Sequence, residues 1–102
     1  MIVIDIGCAR YGGDFSIERL LEEFEPDVLY GFDPNAATAV TYAAPHVHIH
    51  ASAAWVYDGT IGFLSDGLNS CLTYREDVPQ VPCFDLAKFI AGLPAGEEIV
   101  QR

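Results

Sequence analysis

Basic residues are scarce in this chain. Five lysines and arginines stand against 15 aspartates and glutamates, a formal charge of −10 over 102 residues. Binding a nucleic acid calls for a basic stripe that displaces counterions from phosphates. No such stripe occurs, which argues against a nucleic-acid partner and leaves small neutral or cationic ligands, sugars and proteins. Cysteine is also scarce. Cys8, Cys71 and Cys83 make an odd count without a CxxC pair, a pattern that suits neither a disulfide scaffold nor a cysteine-type zinc site. It reads as reduced thiols in a cytoplasmic protein. No apolar run approaches the roughly 18–20 residues of a membrane span. The first residues lack the basic region of a signal peptide and reach Asp5 after four positions.

Half of the residues are hydrophobic and a fifth are charged, a globular rather than a disordered composition. The length suits a single small domain over residues 1–102, able to bury roughly 60–70% of its unfolded surface.

Strands and helices alternate along the first half. Ile2-Val3-Ile4-Asp5-Ile6 is a continuous apolar run broken by one acid, as in a strand buried on both faces. Ser16 opens a helix with Ile17, Leu20, Leu21 and Phe24 on one face, and Pro26 stops it. Val28 to Asp33 is a second buried strand ending in an acid. Residues 36–44 are alanine-rich and predict a second helix, and Val47 to Ala54 predicts a third strand. This β-α-β-α-β order points to an α/β fold with a mostly parallel sheet. Trp55 to Phe63, with Asp58-Gly59 at its centre, predicts a β-hairpin after strand three. Residues 65–82 read as loop. Asp85 caps a helix carrying Leu86, Phe89, Ile90 and Leu93 on one face, with Gly92 and Pro94 at its end, and Glu98 to Gln101 begins a fourth strand.

The glycine-rich turn after the first strand is the place for a ligand. Gly7, Gly12 and Gly13 let the backbone approach closely between strand and helix. The stretch GCARYGG does not match the GxGxxG of dinucleotide sites, which disfavours a nicotinamide-dependent oxidoreductase. Asp5 disfavours a pyrophosphate and favours a cation, such as the sulfonium and ammonium of S-adenosylmethionine. Asp33 lies 26 residues after Gly7, close to the roughly 20 at which a carboxylate accepts hydrogen bonds from a ribose.

Four segments in register, VIDIGCARYGGDFS, LYGFDPN, HASAAWVYDGTIGF and VPCFDLAKFI, resemble the FkbM family of S-adenosylmethionine-dependent methyltransferases. That family shows VDxGAxxGxxS, an acid-proline pair after strand two, an Ala-Ala-Val-like segment with an Asp-x-x-Gly turn, and a Val-Pro…Leu-Asp-Asp-Phe stretch. The resemblance implies a Rossmann-like class I methyltransferase fold and methyl transfer to a hydroxyl of a sugar or other small molecule. By resemblance, Asp5 and Gly7 border the methionine end of the cofactor. Cys8, Ala9 and Gly12 form the close-approach loop, Asp33 holds the ribose, Pro34 lines the adenine side and Ala53 the adenine edge. The loop is one residue longer than the family's, so Gly12 or Gly13 fills the last glycine position.

The family continues past EEIVQR into Lys-x-Asp-x-Glu-Gly and three further strands, so the resemblance implies a C-terminally shortened domain. By the same analogy the strand order is 3-2-1-4. Strand four then exposes Ile99 and Val100 along an open edge, which is expected to pair with a copy of the chain or with a second chain. A non-catalytic cofactor-binding or assembly module is the alternative function.

No catalytic residue is identifiable from spacing. His46, His48 and His50 fall on one face of a strand. Three imidazoles can hold zinc, but no acid or cysteine joins them at a ligand spacing, and the simpler reading is a polar face on an edge strand, with no metal site. Cys8 stands beside a helix start, which would lower its pKa, but no base accompanies it.

Overall fold

The computed structural model describes residues 1–8, 16–34, 44–64 and 71–102. The helix expected over residues 36–44 lies outside them except for Ala44. The elements in order are β1 (Ile2–Ile6), α1 (Ser16–Phe24), β2 (Val28–Phe32), β3 (Val47–His50), β4 (Ala53–Trp55), β5 (Gly59–Leu64), β6 (Cys71–Thr73), β7 (Gln80–Asp85), α2 (Leu86–Ala91) and β8 (Ile99–Gln101). They form a mixed α/β fold with two four-stranded sheets rather than the single sheet expected.

The first sheet is wholly parallel, in the order β3-β2-β1-β8. With β8 as strand four, this is the expected 3-2-1-4. Its two central strands, β1 and β2, are buried on both faces, which is why they read as apolar runs. One face packs Val3, Leu29 and Val47 against Ile17 and Leu20 of α1. The other packs Ile2, Ile4 and Phe32 against Phe84, Phe89, Ile90 and Leu93. On the α1 face a Cβ on Gly31 would lie 2.8 Å from Ile49 Cδ1, 3.0 Å from Cys8 Sγ and 3.1 Å from Ile17 Cδ1, so any larger residue there has to displace packed neighbours. Helix α1 ends as Glu25 turns to a positive φ of 45° ahead of Pro26.

The second sheet is mixed, in the order β4-β7-β5-β6. It corrects three expectations. The run from Val47 to Ala54 is not one strand: the Ser52 N–H turns back to His50 O at 2.9 Å, and the chain passes from the first sheet to the second between β3 and β4. Trp55 to Phe63 is not a hairpin, because β7 lies between β4 and β5, with Cys83 opposite both Ala53 and Gly59. The Asp-Gly pair is diverted from a primed turn because Asp58 Oδ1 accepts the Asp85 N–H at 2.9 Å and Oδ2 accepts Lys88 Nζ at 3.1 Å. The Asp85 N–H, then Lys88, holds the Asp58 pKa below the usual carboxylate value. Finally, residues 65–82 are not all loop, since β6 and the start of β7 fall among them.

Pro82 hid β7 from the sequence, because proline is rare inside a sheet. The Phe63 N–H donates to Pro79 O at 2.9 Å, so alternation turns Pro82 away from β5. Its missing N–H falls beside Ser52, just before β4 begins to pair, and Ser52 Oγ donates to Pro82 O at 3.3 Å.

Helix α2 starts as expected, with the Asp85 carboxylate accepting the Lys88 N–H at 3.1 Å, and closes at Gly92. Among the described residues, no helix is long and apolar enough to cross a membrane.

Candidate functional site

A cavity of about 320 Å³ opens where the first sheet's strands end against the second sheet. The first sheet contributes Ile6, Gly7, Phe32, Asp33 and Pro34, at the C-terminal ends of β1 and β2. The second contributes Ala53 and Ala54 of β4, Phe63 of β5, and Cys71 and Leu72 of β6. The volume is at the small end of the roughly 300–1,000 Å³ of ligand pockets, and its make-up, apolar walls with few polar groups, is theirs as well. Ligands of open parallel sheets bind in this position, beyond the carboxyl ends of the strands.

Two parallel strands deliver Gly7 and Asp33 side by side, because Ile6 is in register with Phe32. The Gly7 N–H donates to Phe32 O at 2.7 Å. Gly7 has φ 81°, and a Cβ there would meet nothing within 4 Å. The position therefore needs glycine for its backbone conformation and leaves open space above it. Asp33 is anchored by its own N–H, which donates to His50 O at 3.1 Å. It is 8% exposed and brings a carboxylate to an otherwise apolar wall.

Of the residues expected from the sequence, Gly7, Asp33, Pro34 and Ala53 meet at this cavity. Ala9 and Gly12, like Gly13, lie outside the described residues. Asp5 and Cys8 are not in the cavity's described walls. Asp5 follows Val3 on the α1 face of β1. It is fully buried, and Arg102 Nη1 donates to its Oδ1 at 3.0 Å. Arg102 in turn lines a hollow of about 180 Å³ with Arg19, Leu20 and Glu23. The acid that interrupts the first strand is thus one half of an ion pair between neighbouring strands.

Cys8 is buried, and its thiol is pushed up to about 12 by burial and then by the charges of Asp5 and Asp33. This reverses the lowering expected at a helix start. A thiol so held stays protonated at neutral pH and is a poor nucleophile.

His48 and His50 lie on β3, at one edge of the first sheet, where they stack on Tyr30 at 5.5 Å and on Phe32 at 5.2 Å. Among the described residues, no group of three or more histidines, cysteines or acids is placed to hold a metal.

Sequence reasoning missed Arg102 and the β5–β6 wall. Phe32 and Ile6 could have been found, since each adjoins a chosen residue. Cys71 and Leu72 could not, because their strand lay in a stretch read as loop.

No protein-family model, curated protein or solved structure matches the chain.

Proposed function

We propose that the chain is a Rossmann-like, S-adenosylmethionine-binding methyltransferase domain of the FkbM type, acting on a hydroxyl of a sugar or other small molecule. The observation that carries this reading is the meeting of Gly7, Asp33, Pro34 and Ala53, chosen from the sequence, around one cavity at the ends of adjacent parallel strands. The cavity's size and walls fit the adenosine part of the cofactor. Asp33 accepts hydrogen bonds from the ribose hydroxyls, Gly7 allows close approach, and Pro34, Ala53 and Phe63 pack against the base. When bound, S-adenosylmethionine supplies an electrophilic methyl carbon. The chain's part is to hold that carbon and the acceptor in line, since positioning accounts for much of the rate in such transfers. Three free cysteines agree with a reducing, cytoplasmic compartment.

A second reading is a non-catalytic binding module. It is favoured by the described cavity walls, which carry a carboxylate and a thiol but no histidine, lysine or tyrosine to act as a base.

Calorimetric titration with S-adenosylhomocysteine, beside an Asp33→Ala variant and an NADH control, tests the shared premise. The wild-type chain is expected to bind saturably, and Asp33→Ala to weaken binding about 100-fold, the effect of losing two hydrogen bonds to a charged acceptor. A folded chain that ignores S-adenosylhomocysteine overturns both readings, and tight NADH binding would revive an oxidoreductase. Methyl transfer by the isolated chain separates enzyme from module.

A further inference from the structure

We propose that the second sheet carries a binding site for a small primary alkylammonium ion, in a hollow between Tyr57, Tyr74 and Glu76. The site needs no cofactor and stands apart from the methyltransferase reading.

The hollow measures about 250 Å³. Thr60 of β5, Thr73 of β6 and Gln80 of β7 line it, with Tyr57 ahead of β5 and Tyr74 and Glu76 on the connection from β6 to β7. That connection is fastened to the sheet. The Arg75 N–H donates to Thr73 Oγ1 at 3.3 Å, and Gln80 Nε2 donates to Arg75 O and Val78 O at 3.1 and 3.0 Å. Tyr74 is 70% exposed, but the Trp55 ring stands against it at 5.7 Å and 62°.

The hydrogen bonds already made decide which guest fits. Both amide hydrogens of Gln80 go to backbone carbonyls, which fixes the amide's orientation and leaves it only Oε1, an acceptor. The Tyr57 hydroxyl donates to Thr60 O at 3.1 Å, and its oxygen is left to accept. Burial, then Cys83 and Tyr74, raises the Tyr57 pKa, so that hydrogen stays in place. Glu76 is a carboxylate and accepts only, while the hydroxyls of Thr60, Thr73 and Tyr74 can turn to accept. Arg75, next in the chain, does not offset Glu76, since its Nε and Nη2 donate to Asp77 at 2.9 and 2.6 Å. A hollow so rich in acceptors suits a guest that brings donors and a positive charge. An ammonium head has three donors, a tyrosine ring attracts a cation over its face, and the chain's charge of −10 draws cations to the surface. The volume falls short of the roughly 300–1,000 Å³ of drug-sized ligands, so the guest is an ammonium head on a short alkyl chain.

Trp55 is the only tryptophan, so its indole N–H gives a single proton resonance beside Tyr74. Titration with n-butylammonium chloride, at an ionic strength held constant with sodium chloride, should move that resonance saturably. Glu76→Gln is expected to weaken binding about tenfold, the effect of losing a charged hydrogen-bond partner, and Tyr74→Leu about threefold. Both side chains are exposed, so the variants should keep the wild-type circular dichroism. Tetramethylammonium, with no N–H, and n-butanol, with no charge, should each bind about tenfold more weakly than n-butylammonium. Putrescine and Nα-acetyl-lysine amide carry the same head, and the tighter binder identifies a free diamine or a protein side chain as the source. The proposal is overturned if none of the primary amines binds saturably. Binding of n-butylammonium that is unchanged in both folded variants, or tetramethylammonium binding equally well, also overturns it.

Discussion

Ile4 and Ile61 are both isoleucines inside strands, 0% and 2% exposed, yet they stand in different kinds of core. Ile4 belongs to the parallel sheet, in a cluster with Ile2 and Phe32 that α2 covers with Phe89, Ile90 and Leu93. Ile61 belongs to the mixed sheet, where the buried cluster is Ala53, Ile61 and Cys83, bordered by Trp55, Leu72 and Val81. The first sheet is a core with layers on both faces. The second has small residues at its centre and leaves Val56 and Tyr74 70% exposed around it. The cavity lies where a well-packed sheet meets a thinly packed one, so one wall is firm and the other is supported by fewer contacts.

The largest test of this contrast is a matched pair of truncations. Ile4→Ala is expected to cost about 4 kcal/mol and Ile61→Ala about 2 kcal/mol, the upper part and the lower end of the usual range for this change in rich and poor surroundings. Equal losses in denaturant unfolding would show that the two cores are equivalent.

A second test uses the thiols. Below pH 9.0 Cys8 is neutral in both the folded and the unfolded chain. Above it, the unfolded chain ionises Cys8 and the folded chain does not until about pH 12. Stability should therefore fall as pH rises from 9.0 toward about 12, and Cys8→Ala should flatten part of that fall. Burial also raises the Cys83 thiol of the second sheet. Native-state alkylation at pH 8, read by mass spectrometry, should mark the exposed Cys71 first. Cys83 should follow and Cys8 come last; Cys8 reacting ahead of Cys83 would reverse the ranking of the two sheets.

The smallest expected effect is Asp85→Ala, about 1 kcal/mol for a lost helix cap. Thermal unfolding would show it. A much larger loss would mean that the Asp58–Asp85–Lys88 set holds β7 in place as well as starting α2.

The same contrast explains what could be read in advance. Ile2 to Ile6 and Val28 to Phe32 carry their burial in composition, whereas the order of strands in their sheet was expected only from the resemblance. That Asp33 and Gly7 meet at one cavity was legible because each directly follows one of two adjacent parallel strands. The second sheet was opaque because its pairing is non-local. Asp58-Gly59 has the chemistry of a tight turn, and only the arrival of Asp85 and Lys88 from 27 and 30 positions away redirects it. The ion pair of Asp5 was hidden for a similar reason, since its partner Arg102 is 97 residues distant. An acid in a buried strand announces that it has a partner without saying which.

Phe32 is 4% exposed and forms part of the cavity wall. The same ring stacks on His50 at 5.2 Å, 18° from parallel, and touches Phe84 and Phe89 at 4.4 and 5.2 Å. It thus has one neighbour in the interior and another on an exposed edge strand. A molecule seated against Phe32 shifts or tilts a ring whose magnetic field the His50 imidazole feels directly. The proton resonances of that imidazole are consequently a built-in gauge of the cavity, readable in solution without a label.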